Sequence, residues 1–152
     1  AGILAAFNVY EKGGAVRGSW RGADVLGFEA ERLAVYDWFA RNCRIVAVDE
    51  ERPLEVQADD AMLLVLVSAA DGFTPLGLID KYIAPAAIRT QVRMPGRTAL
   101  VLATGGTFAY ATELPHRVLV EGEEVEPAVD DGFFRVDCSD REGEVFVELV
   151  QK

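Results

Sequence analysis

A run of apolar side chains from Met62 to Val67 constrains the fold more than any other feature, because it offers no polar face to water. A run this short and this rich in branched side chains is typical of a β-strand covered on both faces. The turn pair Asp71-Gly72 follows, and a second apolar stretch runs from Phe73 to Ile83. Pro75 lies near the start of that stretch, where the loss of one backbone donor is tolerable. The sequence therefore predicts a central hairpin made of these two stretches.

Further pairs of turn residues separate short apolar segments elsewhere in the chain, and each predicts another hairpin. These pairs are Gly13-Gly14, Gly105-Gly106, Gly122-Glu123 and Asp131-Gly132. Glycine comes first in Gly122-Glu123, as a type II′ turn prefers. Strict alternation marks two half-buried antiparallel strands, whose predicted inward faces are Phe134, Val136 and Cys138 in one and Val145, Val147 and Leu149 in the other. Together these signals predict an all-β fold, a two-layer antiparallel sandwich.

One segment has two possible structures. Phe28 to Arg41 carries apolar residues at both helical and strand spacing. Aromatic and β-branched residues favour a strand from Leu33 onward. Ile45 to Val48 is then predicted as the next strand, followed by a solvated loop.

Length and charge bound the class of protein. The 152 residues predict one domain over 1–152. The net charge of -10 repels phosphate backbones and anionic lipid, so neither nucleic acid nor membrane is expected as a partner. The first residues lack the features of a signal peptide and begin directly with a strand pattern, so we expect a piece of a longer polypeptide. Cys43 and Cys138 both lie in apolar contexts, which predicts reduced core thiols and a cytoplasmic location.

The residues suited to catalysis are few. His116 is the only histidine, so a histidine-based metal site or a Ser-His-Asp triad has at most one member available. It follows a proline, and we expect it in a solvent-exposed lead-in to a strand. Paired carboxylates could bind Ca²⁺ or act in acid–base catalysis. All of them, however, lie at expected turns or strand ends, where charge is solvated. The carboxylates considered are Asp59, Asp60, Asp130, Asp131, Glu121, Glu123, Glu124 and Glu126. The sequence therefore predicts no catalytic residue, no metal site and no cofactor.

Aromatic side chains offer one alternative function. Sugar-binding surfaces use exposed aromatic platforms, and Trp20, Tyr36 and Trp38 are the candidates for such a ligand-binding site. Large aromatic residues more commonly fill a core or an interface. Packing in a core or a domain interface is the favoured interpretation, and a carbohydrate-binding module around Trp20 is the alternative.

Several stretches together resemble one family. Ile3 to Asn8 is similar to the "G-V-F-N" opening of the C-terminal region in glycoside hydrolase family 36, which includes α-galactosidase-like and raffinose-synthase-like proteins. Pro75-Leu76-Gly77-Leu78 resembles the family's "A-P-I-G-L" strand. Val118 to Val125 resembles its late hairpin with an "I-D-G" turn, and Val145 to Glu148 its final strand. The order and approximate spacing agree over nearly the whole chain.

The resemblance implies a parent enzyme with a catalytic barrel and this C-terminal antiparallel sandwich. The family's nucleophile lies in a Lys-x-Asp motif on the barrel, and none of Lys12, Lys81 and Lys152 has Asp two residues later. No catalytic residue therefore carries over. We expect a non-catalytic accessory domain that packs against the barrel of its own parent chain and stabilises it. Whether the parent hydrolyses or transfers galactosyl groups stays open.

Overall fold

The computed structural model describes residues 1–10, 12–25 and 27–152, and in these ranges the chain is built almost entirely of antiparallel β-strands. The only helices in the described ranges are two short 3₁₀ turns, Gly22–Asp24 and Ala84–Ala87. The prediction of an all-β fold is confirmed. No helix in these ranges has the length and apolar character needed to cross a membrane.

The chain divides into two compact units, Ala1–Ala69 and Ala70–Lys152. The sequence predicts one sandwich over 1–152, whereas in the structure each unit has its own sheets and its own buried cluster. Strands pair only with strands of the same unit. The boundary falls within Ser68-Ala69-Ala70, which contains no proline, glycine or charge, so composition gives no signal of a division there.

The described residues of the first unit form six strands in two layers. The strands are β1 (Gly2–Phe7), β2 (Val16–Trp20), β3 (Arg32–Asp37), β4 (Asn42–Ala47), β5 (Arg52–Val56) and β6 (Ala61–Ser68). One sheet has the order β1-β6-β3-β4, and β2 pairs with β5 in a two-stranded ribbon. Trp20 from the ribbon packs in one cluster with Leu33, Val35, Leu64 and Leu66 from the sheet. This cluster forms the core between the ribbon and the sheet.

The second unit contains nine strands. They are β7 (Thr74–Leu78), β8 (Ile88–Met94), β9 (Arg97–Leu102), β10 (Thr107–Ala111), β11 (His116–Val120), β12 (Glu123–Val125), β13 (Ala128–Val129), β14 (Phe134–Asp137) and β15 (Val145–Gln151). Two sheets form, with the orders β13-β14-β10-β7 and β12-β11-β15-β9-β8.

A single apolar core joins these two sheets. Leu78 and Phe108 come from the first sheet, and Leu100, Val118 and Val147 from the second. The unit is therefore a two-layer antiparallel sandwich. The predicted alternation is confirmed in β15, where Val145, Val147 and Leu149 face the core. In β14 Val136 is buried, while Phe134 is only half-buried and packs against the core cluster. Cys138 is buried as predicted, but it follows the end of the strand.

Several predicted hairpins are wrong. The two stretches around Asp71-Gly72 form β6 and β7, which belong to different sheets. The strands flanking Gly13-Gly14 are β1 and β2, and those flanking Gly105-Gly106 are β9 and β10; neither pair is hydrogen-bonded as a ladder. Gly13, Gly14, Gly72 and Gly106 do have positive φ. Positive φ permits a reversal of the chain, but it does not determine which strand the chain meets next.

Other hairpins form. Val120 pairs with Glu123, so the loop is Glu121-Gly122 rather than Gly122-Glu123. Both loop residues have positive φ, 52° and 82°, which is typical of a type I′ turn rather than the predicted II′. The hairpin around Asp131-Gly132 is confirmed, with Val129 opposite Phe134. The strand from Leu33 onward is confirmed as β3, which pairs with β4. The β8–β9 hairpin around Pro95-Gly96 was not predicted, although this dipeptide favours a turn.

Candidate interaction surface

The first strand carries an apolar surface that is open to solvent. Its outward residues are Ile3, Ala5 and Phe7, and Val9 and Tyr10 continue the exposed row beyond the strand. Phe7 is 70% exposed and Val9 is 86% exposed. We call these five residues the β1 surface. The β6 residues directly opposite its strand members are also apolar: Val65, Leu63 and Ala61.

The β1 strand lies at the edge of its sheet and differs from the other edge strands in its chemistry. Gly2–Phe7 contains no charged residue and no proline. Natural proteins usually protect an edge with a charge, a proline or a very short strand. The other edge strands of the described chain have such protection: Arg44 in β4, Arg17 in β2, Arg52 and Pro53 in β5, Pro75 in β7, Arg89 and Arg93 in β8, Glu123 and Glu124 in β12, and only two residues in β13. A long, uncharged, apolar edge is open to pairing with another polypeptide.

The chain after β1 is fixed by one buried polar side chain. The Asn8 amide nitrogen donates to the carbonyl oxygens of Gly14 (2.8 Å) and Val56 (3.0 Å). Its side-chain oxygen accepts from the backbone nitrogen of Tyr10 at 3.0 Å. These bonds bring the start of β2 beside the end of β5, where Val16 faces Val56. This role was not predicted from the sequence, although a polar residue between Phe7 and Val9 was a usable signal, since it must find partners when buried.

The predicted aromatic platform does not form. Trp20 is 8% exposed and packs in the core of the first unit. Tyr36 is fully buried, and strand alternation directs it to the face of β3 opposite Leu33 and Val35, which pack with Trp20. Trp38 is half-buried, and the Arg41 guanidinium lies 4.6 Å above its ring. The core interpretation of Trp20 is confirmed, and a carbohydrate platform around Trp20 finds no support in this arrangement.

The paired carboxylates occupy turns and strand ends. Asp59 and Asp60 form the exposed turn before β6, where an Asp60 oxygen accepts from the Ala61 backbone nitrogen at 2.8 Å. Asp130 pairs with Arg135 at 2.6 Å. Glu121 accepts from the Phe146 backbone nitrogen at 2.6 Å. Within the described ranges no three histidine, cysteine or carboxylate side chains are grouped closely enough to hold a metal ion. Asp60, Asp130 and Glu121 therefore have structural partners at the surface.

His116 differs from its prediction. It is the first residue of β11, half-buried, rather than an exposed residue in a loop. Its Nδ1 lies 2.7 Å from the carbonyl oxygen of Leu114, and its Nε2 lies 2.8 Å from the Tyr110 hydroxyl. A carbonyl only accepts, so Nδ1 carries a proton, and in the neutral form of the ring Nε2 accepts from the Tyr110 hydroxyl. Both ring nitrogens are therefore engaged, and neither is available as a general base without breaking a hydrogen bond.

A scan of the sequence against models of known protein families finds no match, and a search of the curated proteins finds no relative. The resemblance to glycoside hydrolase family 36 accordingly stays a prediction.

Both cysteines are buried, free thiols. Burial raises the pKa of the Cys43 thiol to about 12. Burial, and secondarily the carboxylates of Asp137 and Asp140, raise the pKa of the Cys138 thiol to about 11. The thiolate is the nucleophilic form, so both residues should be inert at pH values well below these.

We expect that a disulfide reagent such as Ellman's reagent at pH 8 labels neither cysteine within minutes in the folded chain. In denaturant both thiols should react quickly, since the pKa of an exposed cysteine is about 8.5. Absorbance of the released thiolate measures both rates. Rapid labelling of either cysteine in the folded chain would contradict its burial.

Proposed function

We propose that this chain is a non-catalytic accessory region of a carbohydrate-active enzyme, α-galactosidase-like or raffinose-synthase-like, that packs against a catalytic barrel and stabilises it. The β1 surface is the observation that carries the proposal. Its three strand residues lie within Ile3 to Asn8, the stretch that resembles the opening of the family's C-terminal region.

Burial of the β1 surface would contribute usefully to such an assembly. Complete burial of a valine or phenylalanine side chain contributes roughly 1.5–3 kcal/mol relative to its exposed state. Phe7 and Val9 are largely exposed in the chain alone. Most of this free energy would therefore be gained only when another domain covers them. The net charge of -10 disfavours close contact at acidic parts of the surface. An uncharged edge is therefore the region best suited to contact another domain.

The chemistry of the remaining surface supports a non-catalytic role. The carboxylates at Asp130 and Glu121 have nearby structural partners, whereas a working glycosidase acid sits in a protected environment that raises its pKa. His116 is held through both nitrogens. The two buried free thiols fit a reducing compartment, so we place the protein in the cytoplasm.

The docking proposal is tested with the double variant Phe7→Ser and Val9→Ser in the polypeptide encoded by the complete reading frame. Serine removes apolar area where neither side chain contributes to the core, so the 152-residue chain should change by no more than about 0.5 kcal/mol. In the complete polypeptide the melting temperature should fall by at least about 3 °C. Calorimetry measures both quantities.

Val92→Ser is the matched control, since Val92 is also an exposed valine on an edge strand, and it should leave both proteins unchanged. Equal effects of the double variant and the control would contradict docking through β1. A complete reading frame without a barrel-sized segment would contradict the accessory role. Hydrolysis of a nitrophenyl α-galactoside by the 152-residue chain alone would contradict the non-catalytic role.

A further inference from the structure

A groove of about 440 Å³ opens on the surface of the second unit. Four pieces of chain form it: residues 112–117 around the β10–β11 connection, residues 124–129 around the β12–β13 connection, Phe134 of β14, and Lys152. Phe134 and His116 contribute aromatic rings to its lining. This volume is within the range of small-molecule sites, about 300–1,000 Å³.

The aromatic part of the lining is held rigidly. The Phe134 ring stacks on Tyr110 with centroids 5.5 Å apart, and His116 packs edge-on against Phe134 at 4.7 Å. The hydrogen bonds of His116 with Leu114 and Tyr110 fix the orientation of the imidazole. Burial raises the pKa of Tyr110, so its hydroxyl stays protonated and continues to donate to His116. A ligand entering this groove would therefore meet a preorganised surface, which reduces the entropy lost on binding.

The rim of the groove combines hydrogen-bond donors and acceptors. Glu113 and Glu126 supply carboxylate oxygens, and Arg117 and Lys152 supply cationic donors. Arg117 also lies 4.0 Å from Glu124, another lining residue. Because both signs of charge are present, the groove suits neither a strongly anionic nor a strongly cationic ligand. A neutral ligand with many hydroxyl groups can use both kinds of partner.

From this combination we infer that the groove binds a neutral carbohydrate, with an apolar sugar face against Phe134 and hydroxyl groups donating to Glu126 and Glu113. Lys152 and Arg117 donate to other hydroxyl oxygens. This site is separate from the predicted platform of Trp20, Tyr36 and Trp38, because none of those residues lines it. The inference depends on the second unit alone, so it does not require docking through the β1 surface.

The ring signals of His116 in NMR spectra report on this groove. His116 is the only histidine of the chain, so these signals are assigned without ambiguity. Titration with raffinose and with galactose should shift these signals saturably, with a Kd on the order of 1–10 mM for at least one sugar. Glu126→Gln should weaken that binding about fivefold or more, since it replaces a charged acceptor by a neutral one. Phe134→Leu retains apolar volume but removes the ring, and should also weaken binding at least fivefold.

Glu123→Gln is the matched control: Glu123 is an exposed glutamate of β12 that does not line the groove, and its Kd should stay within about twofold of the parent. The absence of any saturable shift with either sugar would overturn the inference. So would equal weakening by Glu123→Gln and Glu126→Gln. Saturable binding of a lysine-rich peptide in place of both sugars would identify the groove as a peptide site and would also overturn it. Phe7→Ser should leave the sugar titration unchanged, which separates this result from the docking proposal.

Discussion

Replacement of Gly77 by alanine should lower the free energy of unfolding of the second unit by about 3–5 kcal/mol. Gly77 lies inside β7 with φ of 99°. Ala109 pairs with Gly77 and Tyr110 with Pro75, so Leu76 is the extra residue of a β-bulge. A Cβ atom at Gly77 would overlap the backbone carbonyl of Ala84, which is fully buried. The atoms that the Cβ would meet are backbone atoms of Ala84 and Pro85. A side-chain movement therefore cannot relieve the strain.

Gly122→Ala is the control for this prediction. Gly122 also has positive φ, 82°, but a Cβ atom there would meet nothing within 4 Å. This variant should lose only about 1 kcal/mol of folding free energy, the cost of placing a residue with a Cβ atom at positive φ. Denaturant unfolding followed by the His116 ring signals measures the second unit selectively, because His116 lies within that unit. Equal losses for the two variants would contradict the close backbone approach at Gly77.

Asn8→Ala should lower the free energy of unfolding of the first unit by about 2–4 kcal/mol. The substitution removes two donated bonds and one accepted bond, and it leaves the carbonyl of Val56 without its buried partner. Both tryptophans, Trp20 and Trp38, lie in the first unit, so their fluorescence during denaturant unfolding reports on that unit.

Ser19→Ala is the comparison for Asn8. The Ser19 hydroxyl donates to Glu51 at 2.6 Å, but this bond is exposed, so its loss should change stability by less than about 0.5 kcal/mol. Asn8→Asp retains the acceptor for Tyr10 and loses both donors, so it should destabilise at least as much as Asn8→Ala. An Asn8→Ala variant as stable as Ser19→Ala would show that the hydrogen bonds of Asn8 do not hold β2 beside β5.

Local sequence signals predicted strands well and strand partners poorly. Alternation identified β14 and β15, because a half-buried strand must place every second side chain in the core. Turn residues identified the β11–β12 hairpin, where only two residues separate the paired positions. Gly105-Gly106 is likewise a pair of turn residues between two apolar segments, yet it connects strands of two different sheets. Two adjacent glycines allow the backbone to reverse. Which strands then pair depends on the apolar faces that the rest of the chain must bury.

The division into two units and the candidate surfaces were less accessible from sequence. Each unit buries its own cluster, but the sequence shows apolar segments without showing which of them share a core. Trp20 is buried because β2 pairs with β5 across a distant stretch of sequence, and no local pattern gives that pairing. The groove around His116 combines residues from 112 to 152 for the same reason. The uncharged character of β1 was readable from the sequence, but its position at a sheet edge was not.

Hydrogen exchange at the amides of β1 tests the docking of this chain most directly. The exchange rates of Gly2–Phe7 are compared between the 152-residue chain and the polypeptide from the complete reading frame, with the arginine-containing edge strand β8, Ile88–Met94, as the internal reference. Docking through β1 predicts slower exchange of its amides by about tenfold or more in the complete polypeptide, with β8 unchanged. Identical exchange of β1 in the two proteins would show that this edge remains uncovered and would contradict the proposed function.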